Sequence, residues 1–558
     1  MKKLNQKIMI LVACIVIVLN GCAIKEKGIM EENSQESNKL PDNEVVGNPQ
    51  MVFSYDTNRD ILSRHAYPAL ERMEKNDREE LVESLQVIKK MELLNLDKNS
   101  FLYPELNLEN AEQALEAVCA EEYTQTNQID FEGTTSSELQ AVIDTNENAV
   151  IHILSRQIDV TDAITLKNNI GIKGNGVKVS CIGTEYAFIG KEISGVLLED
   201  LEIDGDVDYG IMIAGGRDIS ILDCTIRNMK QKPICLIGEI KGFRLCGNTM
   251  TQNYAGGVYI AGDVSNGLVE ENKITNNMGT SNWMAGIVLT NVLSADKLNI
   301  WETFDEAHHF PYKENLYAQL KCPQNIIIRN NEVAYNNASG IYSDGAYCCY
   351  VIDNTVRQND KEGICLDYGT IGFYLKENIF DGNGRRIRQT DDDLRMDFVL
   401  EAGRMDDSSA KAKLPGVSLD NTIYNILENN IVIHNYGGGI KMVRTAVRNL
   451  ISENIIRDNN MGQNDMYHFF GIEVGAAVAD VESGDMDFTP SFENIICRNS
   501  ITGNHYSGVF IGENCYVNDV FDNVIMEPQM FAVESISTKF NSIVNNISNV
   551  GIRNEYQE

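Results

Sequence analysis

Three aspartates, Asp344, Asp367 and Asp420, each stand four residues after a glycine: Gly340, Gly363 and Gly416. From Gly340 to Asn354 is 14 residues, from Gly363 to Asn378 is 15 and from Gly416 to Asn430 is 14, so the three segments share one register. Stacked as neighbouring strands, their carboxylates would lie about 5 Å apart. Three ionised carboxylates tolerate that spacing only with a shared proton, a cation or basic neighbours. Such a row suits acid–base catalysis or a metal, calcium being the cation whose oxygen-rich ligation matches. Lys441 follows Gly439 by two residues and Arg444 by five, which sets basic groups beside the row, and Glu473 repeats the Lys441 position in the next repeat. The same residues also have plainer readings. Asp344-Gly345 and Asp420-Asn421 are turn starters, and Lys441 with Glu473 reads as a cross-strand ion pair.

Insertions flank the strand that carries this row. A recurring asparagine is usually followed by glycine four residues on, but the gap is 9 at Asn277 to Gly286, 33 at Asn383 to Gly416 and 12 at Asn459 to Gly471. Further residues are inserted after the strand at about 291–322 and 476–493. Loops on both sides of one strand build the walls of a groove. Both tryptophans, Trp283 and Trp301, fall in or beside these loops, and flat aromatic faces suit sugar rings. The segment between Gly384 and Lys413 carries seven basic and seven acidic residues. Arg385 and Arg386 are placed there to bind a uronate carboxylate bidentately, or else to pair with Asp391, Asp392 and Asp393.

A repeat must position all of these. Its unit is Asn-x-apolar, a second asparagine five residues after the first, then Gly-apolar-x-apolar. The first asparagines are Asn248, Asn272, Asn331, Asn354, Asn378, Asn430, Asn454, Asn499, Asn523 and Asn546, with steps of 24, 59, 23, 24, 52, 24, 45, 24 and 23. Short steps are single coils and long ones are coils with insertions. Cys224, 24 residues before Asn248, takes the ladder position in an earlier coil. A residue repeated once per coil stacks on itself, so its amides can hydrogen-bond along the ladder, and glycine or asparagine supplies the positive φ of the corners. A leucine-rich repeat has a similar period but needs regularly spaced leucines and a helical segment per repeat, and both are missing. The fold class is therefore all-β, a solenoid of about 24-residue coils over residues 149–550, with 551–558 as a tail.

Residues 51–148 read as a small helical region that caps the solenoid. Leu81, Leu85, Ile88 and Met91 recur at helical spacing, and Ser137 with Gln140 has the spacing of a capping box. A helix across the open first coil would cover its unpaired edge. Ahead of it, 23–50 is polar and aperiodic, as a tether should be. Residues 1–22 read as an export signal, with Lys2, Lys3 and Lys7 before the apolar run Ile8 to Leu19.

Strings such as IIIRNNEVAYNNASGIY and LISENIIRDNN resemble the parallel β-helix repeats of the pectate-lyase-like superfamily. That resemblance implies a right-handed coil and a carbohydrate substrate, often acidic. Leu19-Asn20-Gly21-Cys22 resembles the bacterial lipobox, which implies lipidation at Cys22 and a body tethered at the outer face of the cytoplasmic membrane. The Asn-Thr-Asp and Gly-His-Gly segments of polygalacturonase-type hydrolases are missing. If the chain is a lyase, calcium between the aspartates is implied.

Net charge −34 with no basic stripe excludes nucleic acid as a partner. Of 13 cysteines, removing Cys14 and Cys22 leaves an odd number with no recurring spacing, which predicts buried free thiols, with Cys348-Cys349 the pair to watch. The functional expectation is a monomeric, lipid-anchored extracellular protein acting on a polysaccharide, as glycoside hydrolase or lyase. The alternative is a non-catalytic surface module that binds glycan or protein along the solenoid.

Overall fold

The computed structural model describes residues 106–119, 127–279, 281–290, 322–367, 370–385 and most of 413–555. Met1–Glu105 is a separate unit outside the described residues, so the export signal with Cys22, the tether and the helical region at 57–95 lie beyond them.

The earlier coils carry long strands such as Tyr186–Gly205, and the later coils each contribute short strands joined by corners. In one coil these are Gln324–Arg329, Glu332–Ala334 and Ile341–Asp344, and the next coil repeats them as Tyr350–Ile352, Thr355–Arg357 and Ile364–Asp367. Each strand pairs in parallel with its equivalent one coil on. Among the described residues 38 strands join in one continuous sheet, and Ala477–Val478 with Phe488–Thr489 forms a separate antiparallel ribbon inside an insertion. The alternation of β-branched and polar residues sends one side chain in and the next out. Inward stacks such as Ile341, Ile364, Val417 and Ile440 fill a single core that runs the length of the solenoid.

The asparagines form the expected ladders, and their hydrogen bonds explain the repeat. Asn354 Oδ1 accepts from Asn331 N at 3.0 Å and from Asn331 Nδ2 at 2.9 Å. Asn354 Nδ2 donates to Asn378 Oδ1 at 3.0 Å and to Ile328 O at 2.8 Å. Each amide thus pairs the backbone that a corner takes out of the sheet, which would otherwise be buried and unpaired. The second ladder, Asn253 to Asn459, does the same at the next corner. Cys224 stands in ladder position, its N–H donating to Asn248 Oδ1 at 2.9 Å. Positive φ does not fall on the ladder asparagines. It falls on the residue before each one, and Glu377, Tyr335 and His434 occupy it as well as Asn429 and Gly382. The structure also adds a third ladder, Asn425, Asn449, Asn494, Asn518 and Asn541.

Parallel pairing begins before residue 149, at Asn127–Phe131 on Ala149–Ile153. Ser136–Thr145 is the covering helix, but its N-cap is Thr135. The capping box pairs Thr135 with Glu138 rather than Ser137 with Gln140, because the helix starts earlier than the apolar pattern suggests. Gln140 has another task. Its amide accepts from Thr165 N at 2.7 Å and donates to Thr165 O at 3.2 Å, so it occupies the edge of the strand Ile164–Thr165. Leu139 and Ile143 plug the end of the core. A second helix, Leu108–Cys119, lies along the flank, where Glu112 pairs with Arg329 at 2.6 Å.

Candidate functional site

The aspartate row exists as the register predicts. Asp344 is the direct partner of Asp367, and the pairing of Ile364–Leu366 with Val417–Leu419 carries the row on to Asp420. Thr290 precedes the row and Val443 ends it, so it is three carboxyls long. The strand ends are fixed by Thr370, whose Oγ1 donates to Asp367 O at 2.7 Å and accepts from Gly345 N at 3.2 Å. Gly345 at φ +72 turns the chain directly after Asp344.

All three aspartates are buried, at 3, 4 and 8% exposure for Asp344, Asp367 and Asp420. Burial raises the Asp344 carboxyl to about 8, so it holds its proton at neutral pH. Among the described residues, no group of three or more His, Cys, Asp or Glu side chains is placed to hold a metal ion.

Beside Asp344, on the same outward face, lies a second apolar cluster separate from the solenoid core. It contains Tyr209, Cys235, Tyr259, Trp283, Val288 and Tyr342. Tyr186 stacks on Tyr209 with ring centroids 5.4 Å apart. The Tyr259 hydroxyl is pushed well above its usual range by burial, with Cys235 and then Asp344 adding to the shift. Trp283 is not an open platform for a sugar. Its ring is 2% exposed and meets Tyr342 edge-on at 5.8 Å, so it packs as cover over the tyrosines.

Lys232 sits beneath this cover and was not legible in the sequence. It is fully buried, donates to Trp283 O at 2.5 Å and stands 5.3 Å from the centre of the Tyr259 ring. Burial lowers its ammonium to about 7. One end of the site therefore holds an acid and a base that both titrate near neutrality.

Lys441 does not join the aspartate column. It is the partner of Ser418 on one side and Glu473 on the other, two residues out of line with Asp420, and its Nζ pairs with Glu473 at 3.7 Å. The ion-pair reading describes it. Beyond it on the same face Phe470 stacks on Phe510 at 4.3 Å. Arg385 is exposed, and its carbonyl accepts from Lys413 Nζ at 2.9 Å. Trp301, Arg386 and Arg444 lie outside the described residues. Ten of the cysteines among the described residues are free thiols, eight of them buried. No described helix is long and apolar enough to cross a membrane.

The family model for the right-handed β-helix region matches residues 186–383 and 319–479, together more than half of the chain. The chain belongs to that family. Among solved structures it is similar to the A-module of the Azotobacter vinelandii mannuronan C-5 epimerase AlgE6, at 14% identity and a TM-score of 0.43, over 77% of this chain and 97% of that one. It is also similar to the periplasmic alginate epimerase AlgG, at 12% identity and 0.39, over 75 and 85%. A third similar structure is the enzymatically active domain of tailspike protein 2 from bacteriophage CBA120, at 11% identity and 0.28, over 67 and 42%. Comparison with curated proteins finds no match.

Proposed function

We propose that this protein is an exported, lipid-anchored enzyme that modifies a uronate-containing polysaccharide, with Asp344 as the acid–base group and Asp367 as its partner carboxyl. The observation that carries the reading is the pairing of Asp344 with Asp367 in a row where burial brings the Asp344 carboxyl to about 8. A group that titrates near the working pH both gives and takes a proton efficiently. In hydrolysis Asp344 gives its proton to the departing glycosidic oxygen while Asp367 assists the attacking water. In elimination the deprotonated form takes the C5 proton as the C4–O4 bond breaks and the departing oxygen takes up a proton, and in C5 epimerisation the same abstraction is followed by return of a proton to the opposite face of C5. Export and lipidation rest on the basic-then-apolar leader and on Cys22.

A second reading, a non-catalytic surface module, is favoured by the burial of the same row, which suits three structural carboxyls as well as a closed site. The test is a panel of uronate-containing polysaccharides given to the native protein and to Asp344→Asn. Reducing ends mark hydrolysis, ultraviolet-absorbing unsaturated uronates mark elimination, and changed uronate configuration by NMR marks epimerisation. The expected result is one of these products from the native protein and a loss of about 10²–10⁴-fold in the variant. Absence of any product, or equal rates, sinks the catalytic reading, and retained glycan binding then supports the second.

A further inference from the structure

A fully buried lysine needs a reason, because removing an ammonium from water is costly unless its protons find acceptors. Lys232 has one hydrogen bond, to the Trp283 carbonyl, and the face of Tyr259. The register Ile234↔Val258↔Ile287, extended back two residues, puts Lys232, Gly256 and Ala285 in one column at the entry to their strands. The middle member has no side chain. A Cβ on Gly256 would lie 2.4 Å from the carbonyl oxygens of both Met284 and Ala285, so the short turn Asn282–Met284 rests directly on the glycine backbone. Lys232 thus reaches past Gly256 to a turn two coils away, and that turn carries the indole that packs on Tyr342, two residues from Asp344.

We propose that Lys232 is a positioning residue: by holding the Trp283 carbonyl it fixes the inserted Asn282–Met284 turn over Tyr259 and Tyr342 and so sets the dry wall beside Asp344. The effect on turnover rests on the acid–base reading of Asp344, whereas the placement of Trp283 does not. The charged and titratable groups around it are Cys235 on its own strand, Tyr259 and Tyr209 on the neighbouring ones, and Asp344 beyond Tyr259. None of the three nearest is an anion at neutral pH, so the carbonyl is the strongest acceptor in reach.

The experiment uses the full chain carrying Trp301→Phe, so that emission reports Trp283 alone. Acrylamide quenching is compared for Lys232, Lys232→Met and Lys232→Gln, with far-ultraviolet circular dichroism to verify the fold. The expected result is at least a two-fold rise in the quenching constant for Lys232→Met and a smaller rise for Lys232→Gln, which keeps an N–H donor. If Lys232→Met fails to fold, the Lys232→Gln comparison decides. Quenching unchanged in the folded variants overturns the proposal, whether or not the native protein acts on any glycan. Where the native protein is active, kcat is expected to fall about ten-fold in Lys232→Met, with the acidic or basic limb of its pH profile displaced. An unchanged profile also counts against the proposal.

Discussion

Asp344 and Asp367 are register partners on adjacent coils, and the first of them keeps its proton at neutral pH because burial outweighs ionisation. Stacking at the interstrand distance would otherwise set two anions side by side in a poorly solvated place. A proton held on Asp344 leaves at most one anion in that pair.

Asp344 therefore makes the fold less stable as pH rises. Its folded value of about 8 lies above the unfolded value of about 4. Between those limits the folded chain holds a proton that the unfolded chain has released, so stability falls as pH rises through the window and is level outside it. Denaturant melts of the native protein minus those of Asp344→Asn across pH 4–8 should show this slope. Equal pH dependence in the two would refute the buried, proton-holding carboxyl.

Lys232 acts in the opposite direction. Its folded value of about 7 lies below the usual lysine value of about 10.4, so the unfolded chain binds the extra proton between them. Stability should rise from pH 7 to 10, and Lys232→Met, of similar volume, should remove the rise and gain stability at pH 7. Parallel pH curves for the two proteins would contradict this.

Ladder asparagines should differ by position. Asn354→Ala takes the side-chain partner from Asn331 N and from Ile328 O in the core, at about 1–3 kcal/mol for each orphaned group, while Asn331 Nδ2 keeps Val269 O. Asn546 is part-buried in the last ladder position, and Asn546→Ala should cost about 1 kcal/mol. Urea midpoints decide, and equal losses would mean that the ladder is not the source of the stability.

Gln140 guards an edge rather than a core. Gln140→Ala exposes Thr165 N and O and should cost about 1–2 kcal/mol while promoting association through the open strand. Light scattering under mild heating measures this. A variant that stays as monodisperse as the native protein would show that Leu139 and Ile143 suffice as the cover.

The asparagine ladders and the aspartate row were legible because a solenoid turns sequence spacing into contact: residues 23 or 24 apart meet one coil on. The third ladder carried the same signal, five residues before the first, but only in the later coils. Phe243, Cys349 and Phe373 hold that position earlier and hide the period. The capping box falls on Thr135 rather than Ser137 for a local reason: both precede a polar residue at the required spacing, and only backbone dihedrals distinguish them.

The sequence by itself determined the coil, its period, the line of the aspartates and the ion pair of Lys441 with Glu473, all consequences of register. Only the tertiary structure decided what burial does to them. Whether Trp283 faces solvent or packs on Tyr342, whether a lysine at 232 is solvated or sealed, and whether Asp344 is charged depend on where an insertion folds back across coils. No repeat specifies that path, because an inserted turn obeys its own packing rather than the period of the strands that it leaves.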